Sequence, residues 1–220
     1  MAGGIYSPEM VIKNALVDGQ LTDIEITCGR ISAVGKNLPT ADCMTINAGG
    51  LMASAGRIYL CDCGGLDCEE LLFSGFSTIV FRRRAASPSV SDCIKRAMTV
   101  PLNFAVLSDA DAAVSSFSDG AFPTCGIEII SDHVGAVEVG MLADIFLWAR
   151  QGSLKTPEKI IKGGRLIFDR SISPRRDIIY AMSEPLRSVF FTTQADADSY
   201  IGKKLVGERS VAAIVHSDPP

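Results

Sequence analysis

The sequence predicts a mixed fold of the α+β / α/β class, in which strands from both ends of the chain form one β-sandwich and the middle alternates strands with helices. Two hairpin patterns follow each other within the first 35 residues, and a similar pattern returns between 140 and 168. Between them, apolar strand patterns alternate with helical patterns. The 220 residues suffice for one large or two small domains, since a domain averages about 150.

The composition excludes several classes of protein. Hydrophobic residues make up 47% and charged residues 21%, unlike a disordered, collagen-like or coiled-coil chain. The net charge of −4 argues against a broad nucleic-acid surface. No segment reaches the roughly 18–20 apolar residues of a membrane span, and the N-terminus lacks a secretory signal pattern. Seven cysteines without a disulfide spacing then favour reduced thiols and a cytoplasmic protein.

The first predicted strands lie before residue 50. Val11–Val17 is an apolar run that ends at the turn signal Asp18-Gly19. Asp23–Thr27 and Ile31–Val34 alternate polar and apolar residues, which is typical of half-buried strands. Thr45–Gly50 adds one more short strand, so this segment predicts a small antiparallel sheet.

A matching pattern returns late in the chain. Gly140–Trp148 is a turn followed by an apolar strand, and Pro157–Phe168 contains two strands around Gly163-Gly164. One sandwich assembled from both ends of the chain explains the match. Two unrelated hairpins are the alternative.

The middle of the chain predicts βαβ units. Ser77–Phe81 is rich in β-branched residues, as are strands buried on both faces of a parallel sheet. Leu102–Leu107 and Gly126–Ile130 are further predicted strands. Helical patterns cover 67–73, 91–98 and 109–117. Strands that alternate with helices in this way form parallel sheets.

Several of these segments resemble the amidohydrolase superfamily, and within it the urease alpha-subunit family. The main match is Val137-Glu138-Val139-Gly140-x-Leu142-Ala143-Asp144-x-x-Leu147-Trp148, followed by Pro157-Glu158-x-Ile160-Ile161-Lys162-Gly163-Gly164. Further matches lie at Val11–Asn14, Asp23–Gly29, Arg30–Gly35 and Val189–Ala195. The Glu-Val-Gly-x-Leu-Ala-Asp string is common to many amidohydrolases. Its combination with the Lys-Gly-Gly segment and the tail points to the urease alpha subunit.

The resemblance implies a domain organisation. Residues 1–54 and 136–168 would form the composite β-sandwich, 55–135 a partial (about half) β/α barrel, and 169–220 a urease-like C-terminal tail. Amidohydrolases carry a complete barrel, so about half of it would be deleted here. Because open sheet edges promote association, we expect a homodimer unless the C-terminal region covers them.

The resemblance also implies a pair of metal ions that activate water, which in urease are nickel ions held by histidines and bridged by a carbamylated lysine. Leu60 and Asp62 fall where a His-x-His pair is expected, and Glu128 and Ile130 fall where the lysine and a histidine are expected. None of these positions matches the family's ligands. We therefore assign no catalytic residue, and we expect no metal and no cofactor.

Histidine is scarce in this chain, which has only His133 and His216. His133 lies in the turn that leads back to the sandwich, and His216 lies close to residue 220. For both we expect a solvated or locally hydrogen-bonded side chain rather than a metal ligand.

Two other clusters each leave two interpretations open. Arg82, Arg83 and Arg84 follow a strand and form either an anion site or a solvated loop. Cys61, Cys63 and Cys68 form either a soft-metal site or a set of buried thiols, and their spacing fits no common zinc or iron–sulfur motif.

The sequence thus predicts a urease alpha-like pseudoenzyme with a binding or assembly role. Its expected partner is a second copy of the chain or a urease-type subunit, with neither nucleic acid nor a membrane involved. One alternative is a metal-dependent hydrolase of carbon–nitrogen (amide or urea) bonds, with nickel or zinc at an atypical or intersubunit site. A second alternative is a small anion-binding module that uses Arg82, Arg83 and Arg84.

Overall fold

The fold is derived from a computed structural model, which describes residues 9–61, 67–82, 100–107, 124–125, 130, 132–150, 156–172, 187–191 and 211–215. The chain divides into two compact units. The first contains Met1–Gly56, Phe73–Gly75 and His133–Pro185, and the second contains Arg57–Leu72, Phe76–Asp132 and Leu186–Pro220. In the described ranges, no helix has the length and apolar character of a membrane span.

Strands dominate the described residues. In chain order the elements are β1 (Met10–Val17), β2 (Gln20–Thr27), β3 (Arg30–Gly35), β4 (Met44–Asn47), β5 (Met52–Ala55), β6 (Arg57–Cys61), α1 (Cys68–Phe73), β7 (Phe76–Arg82), β8 (Asn103–Leu107), β9 (Thr124–Cys125), β10 (Ile145–Trp148), β11 (Lys159–Lys162), β12 (Arg165–Asp169), β13 (Arg187–Phe191) and β14 (Val211–Val215).

The first unit contains a single eight-stranded sheet that joins early and late strands of the chain. Its order is β12-β11-β10-β5-β1-β2-β3, and β4 also pairs with β1. The junction is the antiparallel pair β5–β10, in which Ile145 lies opposite Ala55 and Trp148 opposite Met52. The two β-rich segments therefore share one hydrogen-bonded sheet. The strand β5 at this junction had no counterpart among the predicted elements.

Three two-residue turns shape this sheet. Asp18-Gly19, Cys28-Gly29 and Gly163-Gly164 all have positive φ angles, between 48° and 80°. Paired positive φ angles match the right-handed twist of a hairpin. The hairpins predicted at these three places are confirmed.

Both faces of the part of the sheet formed by β10, β11 and β12 carry buried side chains. Phe146, Ile160 and Phe168 lie side by side across these strands, and each is at most 1% exposed. Phe73 packs edge-on against Phe168, with the ring centroids 5.0 Å apart. The opposite face carries Ile145 and Ile161, which belong to the main core of the unit. That core consists of Met10, Ile12, Ala15, Ile24, Ile26, Ile31, Ile46, Ala48, Ala143, Ile145, Leu147 and Ile161.

The second unit contains a parallel sheet. Its order is β14-β13-β8-β7-β6, and β9 also pairs with β8. Every pairing in it is parallel, and residues 77–81 of β7 are fully buried. The predicted strands Ser77–Phe81 and Leu102–Leu107 are thus confirmed in a parallel sheet.

The helix α1 lies between β6 and β7 in the chain and confirms the helical pattern of 67–73. The Asp67 side chain caps its first turn, because Asp67 Oδ1 accepts a hydrogen bond from the Glu70 N–H at 2.9 Å. The helical patterns of 91–98 and 109–117 lie outside the described residues.

The later part of the second unit contains elements that were not predicted from the sequence. β13 and β14, which fall in the segment expected to form a tail, are strands of the parallel sheet. β9 directly precedes the predicted strand Gly126–Ile130, of which residues 126–129 lie outside the described ranges. Ile130 is helical and fully buried, so the strand prediction at this residue is wrong. A short apolar run does not distinguish a strand from a buried helix.

The Gly163-Gly164 turn predicts an asymmetry between two glycine substitutions. A Cβ on Gly164 would lie 2.9 Å from Ile26 Cγ2 and 3.2 Å from Gly29 Cα, whereas a Cβ on Gly19 meets nothing within 4 Å. Both glycines have φ near +80°, so both substitutions carry the same backbone strain. We expect Gly164→Ala to lower the free energy of unfolding by about 1–3 kcal/mol more than Gly19→Ala, because only the methyl group added at Gly164 would overpack its surroundings. Urea denaturation measures the difference, and equal losses would contradict the close contact.

Candidate functional site

The carboxyl edge of the parallel sheet is the candidate site of the second unit. The strands β6, β7, β8 and β9 end there, and the register places Arg82 beside Leu107 and Leu107 beside Cys125. In parallel sheets and barrels, the loops that follow the strands meet at this edge and bind ligands.

The predicted anion site begins at this edge. Arg82 is the last residue of β7. The side chain of Arg82, together with Arg83 and Arg84, lies outside the described residues. The anion site therefore stays a prediction, located at an edge where ligands commonly bind.

The positions that correspond to family metal ligands fall into two groups. Leu60 is 36% exposed and Ile130 is fully buried, and neither side chain has an atom that can ligate a metal. Asp62 and Glu128 lie outside the described residues. Among the side chains that the structure describes, no three His, Cys, Asp or Glu residues come close enough to hold a metal ion. At the two described positions, the residues do not fit the family's metal centre.

Two of the three clustered cysteines are described. Cys61 ends β6 and Cys68 begins α1, and both are 5% exposed. Cys63 lies outside the described residues. Burial shields a thiol from oxidants and from metals in solution, which favours the buried-thiol interpretation for Cys61 and Cys68.

A buried polar cluster links β7 and β8 near their amino ends. Asn103 Nδ2 donates to Thr78 Oγ1 at 3.1 Å, and Ser77 Oγ lies 3.4 Å from Thr78 Oγ1. All three residues are 0% exposed. A shift in register would separate these buried polar groups, so the cluster fixes the pairing of the two strands. This cluster was not predicted, although two polar residues in a strand predicted to be buried on both faces were a usable signal.

One of the two histidines lies in the first unit. His133 Nδ1 is 3.4 Å from Arg30 Nη1, which also donates to the Gly140 carbonyl at 2.7 Å. The His133 carbonyl accepts the Leu142 N–H at 2.8 Å. Burial lowers the pKa of Arg30 below its usual value. The expectation of a locally bonded His133 agrees with this geometry.

The residues that carry the family resemblance form a buried junction in the first unit. Asp144 Oδ1 accepts hydrogen bonds from Lys162 Nζ at 2.9 Å and from the Gly163 N–H at 2.8 Å. The two charged side chains are at most 3% exposed. Ala143 bonds through its backbone to Gly29 at 2.9 Å and to Gly164 at 3.1 Å. The Leu-Ala-Asp string thus connects two hairpin turns, which is a structural role in the first unit.

A second buried carboxylate organises β1 and β2. Asp23 is 4% exposed and accepts the Asn14 N–H at 3.0 Å, the Leu38 N–H at 3.1 Å and the Lys13 ammonium. Asn14 sits in a bulge of β1 with φ 56°. Burial raises the pKa of Asp23. The hydrogen bonds and the Lys13 charge together lower this pKa by more than burial raises it, so the net pKa lies below the usual aspartate value.

Asp169 repeats this arrangement at the end of β12. It accepts hydrogen bonds from the Lys159 ammonium and from the Ser171 N–H and hydroxyl, the last two at 2.9 and 2.6 Å. Burial raises the pKa of Asp169, and these donors lower it to a net value below normal. The Lys159–Asp169 ion pair therefore joins β11 and β12 at one end, whereas the Lys162–Asp144 ion pair joins the other end of β11 to the residue that precedes β10.

Removal of the Asp144 carboxylate tests the buried junction. We expect Asp144→Ala to lower the free energy of unfolding by about 3–5 kcal/mol, because it takes away a charged partner of the buried Lys162 ammonium. The exposed Glu138, in the same segment, supplies the control Glu138→Ala, which should change stability little. Chemical denaturation followed by circular dichroism compares the two variants. Similar midpoints would contradict the structural role of the ion pair.

Acid should reduce the stabilisation that the Asp23 carboxylate contributes to the fold. Because the folded pKa is depressed, the stabilisation is fully present above the unfolded aspartate pKa of about 3.9 and is lost as the pH falls through the folded value. Asp23→Asn should therefore be less stable than the wild type at pH 7 and lose less stability between pH 5 and pH 2. The exposed Asp132 provides the control Asp132→Asn, which should follow the wild-type pH profile. Parallel profiles for Asp23→Asn and the wild type would exclude this effect.

Comparison with known proteins gave matches among solved structures alone, since no family model and no curated protein matches the chain. A β-aspartyl dipeptidase from Fervidobacterium islandicum has 19% identity and a TM-score of 0.37, over 46% of this chain and 33% of its own. An L-hydantoinase (dihydropyrimidinase) from Arthrobacter aurescens has 20% identity and a TM-score of 0.37, over 46% and 28%. An N-isopropylammelide isopropylaminohydrolase from Burkholderia multivorans has 13% identity and a TM-score of 0.35, over 48% and 38%.

These neighbours are enzymes of the amidohydrolase superfamily, and the match spans at most 38% of their length. A TM-score below 0.5 does not establish a common fold. The similarity therefore leaves the function of this chain to be inferred from its own residues.

Proposed function

We propose that the chain is a non-catalytic, urease alpha-like protein with a binding or assembly role. The observation that carries the proposal is the placement of His133, one of only two histidines, against Arg30 in the first unit. The family's metal centre takes several imidazole ligands, as the resemblance implies. Only His216 then remains, and one histidine cannot supply several imidazole ligands within a single chain.

The chemistry of two ligand positions supports the same proposal. Leu60 and Ile130 offer only hydrocarbon side chains where the resemblance places histidines. Imidazole donors cannot be replaced by apolar groups, because the metal needs lone pairs in its coordination shell. The resemblance to the superfamily extends to the buried junction around Asp144, which is a structural feature rather than a catalytic one.

A composite sandwich and a partial barrel are part of the proposal. The parallel neighbours β6, β7, β8 and β9 follow each other in the chain, which is the arrangement of successive strands in a β/α barrel. The sheet of the first unit joins strands from before residue 56 and after residue 144, as a composite sandwich requires. β13 pairs with β8 at Phe104, which supports the idea that the C-terminal region covers part of an open barrel edge.

The assembly role implies a partner. We infer a homodimer in the cytoplasm, with a urease-type subunit as the other candidate partner and with no role for nucleic acid or membranes. The acidic net charge of −4 supports the exclusion of nucleic acid.

Metal analysis of the purified full chain tests the proposal. After incubation with nickel or zinc and removal of free ions, elemental analysis should find well below one ion per chain, and urea should release no ammonia. Stoichiometric metal that is lost in Glu128→Ala or Asp62→Ala would overturn the proposal and favour the carbon–nitrogen hydrolase. Glu138→Ala is the control, because Glu138 lies in the first unit and should leave any bound metal unchanged.

A further inference from the structure

In the described residues, the main strand order of the two sheets ends in four edge strands: β12 and β3 in the first unit, and β14 and β6 in the second. An edge strand presents backbone groups with which another chain can pair. Proteins usually protect such edges with charged residues, proline, bulges or a covering segment. The four edges of this chain differ in these protections.

The edge strand β3 is protected in three ways. It begins with Arg30, and its ladder with β2 contains a register shift. Its outer side is also covered near the start, because Ile31 exchanges backbone hydrogen bonds with Gly140 and Met141 at 2.8 and 2.9 Å. A second chain could not pair along the whole of this strand.

The edges β12 and β6 carry charges and irregular ladders. β12 has Arg165 and Asp169 at its two ends, and its pairing with β11 shifts register once. β6 begins with Arg57, directly before a register shift against β7. These features disfavour extension of either sheet by another strand.

Among the described residues, the edge strand β14 shows none of these protections. Its sequence, Val211-Ala212-Ala213-Ile214-Val215, contains no charge and no proline. Its ladder with β13 runs through five consecutive pairs without a shift. In the part of the chain that the structure describes, β13 is the one strand that pairs with it. An apolar edge strand with a regular ladder is a template for pairing.

We propose that β14 pairs antiparallel with β14 of a second copy of the chain, about a two-fold axis centred on Ala213. The pairing joins two parallel sheets into one continuous sheet. This inference rests on the proposed assembly role and names the surface that performs it.

Self-pairing suits this strand for two reasons. A two-fold contact uses the same surface on both subunits, so each strand must tolerate its own sequence as a neighbour. An uncharged strand places no like charges opposite each other, and like charges would destabilise the pair. The two-fold register sets Ala213 opposite its own copy, whereas Ala212 lies opposite Ile214 of the partner subunit. The strand also lacks charged residues that would select a different partner.

Cysteine substitutions at neighbouring positions test this register in the full chain. In an antiparallel ladder, Cβ atoms directly opposite each other are about 4.5–5.5 Å apart, and those displaced by two positions are about 7–8 Å apart. A disulfide needs Cβ atoms about 3.5–4.5 Å apart, which small movements allow in the first case only. Ala213→Cys should therefore form a disulfide with its own copy, and Ala212→Cys is the matched control.

The measurement combines mild oxidation, non-reducing electrophoresis and mass spectrometry of the linked peptides. We expect the wild type to sediment as a dimer, and Ala213→Cys to give several-fold more covalent dimer, linked through position 213, than Ala212→Cys or the wild type. Circular dichroism checks that the variants remain folded. A monomeric wild type, equal cross-linking at the two positions, or a disulfide from Cys at position 213 to a native cysteine of the same chain would each overturn the inference.

These outcomes separate this inference from the proposed function. A dimer without a link at position 213 overturns the β14 interface and leaves the non-catalytic assembly role intact. Stoichiometric metal overturns the non-catalytic role and leaves the 213 cross-link as evidence for the interface.

Discussion

The buried carboxylate of Asp144 is the contact on which the first unit depends. It precedes β10 and accepts hydrogen bonds from Lys162 and Gly163, at the end of β11. A buried charge is tolerated only next to its ionic partner and hydrogen-bond donors, so a different register of these strands would be costly. β10 in turn pairs with β5, and β5 with β1. The Asp144 contacts therefore fix β10 against β11, and the pairings of β10 with β5 and of β5 with β1 connect them to the N-terminal strands.

The same carboxylate joins two of the segments that resemble amidohydrolases. The Leu-Ala-Asp string and the Lys-Gly-Gly segment are partners in one junction. Both motifs therefore serve the sheet of the first unit in this chain. A scaffold and a reaction site are separate physical requirements, so this junction by itself carries no information about catalysis.

Local chemistry made part of this fold predictable. Turns such as Asp18-Gly19 were predicted because they need two left-handed residues, and Ser77–Phe81 was predicted because β-branched residues fill a buried strand. β5 was missed because its partner β10 lies far away in the chain and leaves no local pattern. At the candidate site, the strand end at Arg82 was predictable. At the opposite edge of the sheet, Ser77 and Thr78 signalled a buried polar cluster, but the partner Asn103 was not predictable, since the hydrogen bond joins residues on different strands.

The pairing of β5 with β10 also has a consequence for synthesis of the chain. Trp148 Nε1 donates to Ser54 Oγ at 2.9 Å, across 94 positions of sequence. At about 5–20 residues per second, translation needs roughly 5–20 s to cover that distance. During this time β5 leaves the ribosome before its late neighbour β10 has been made. The nascent chain thus exposes an incomplete sheet for several seconds, and a chaperone that shields apolar strands would act on this intermediate.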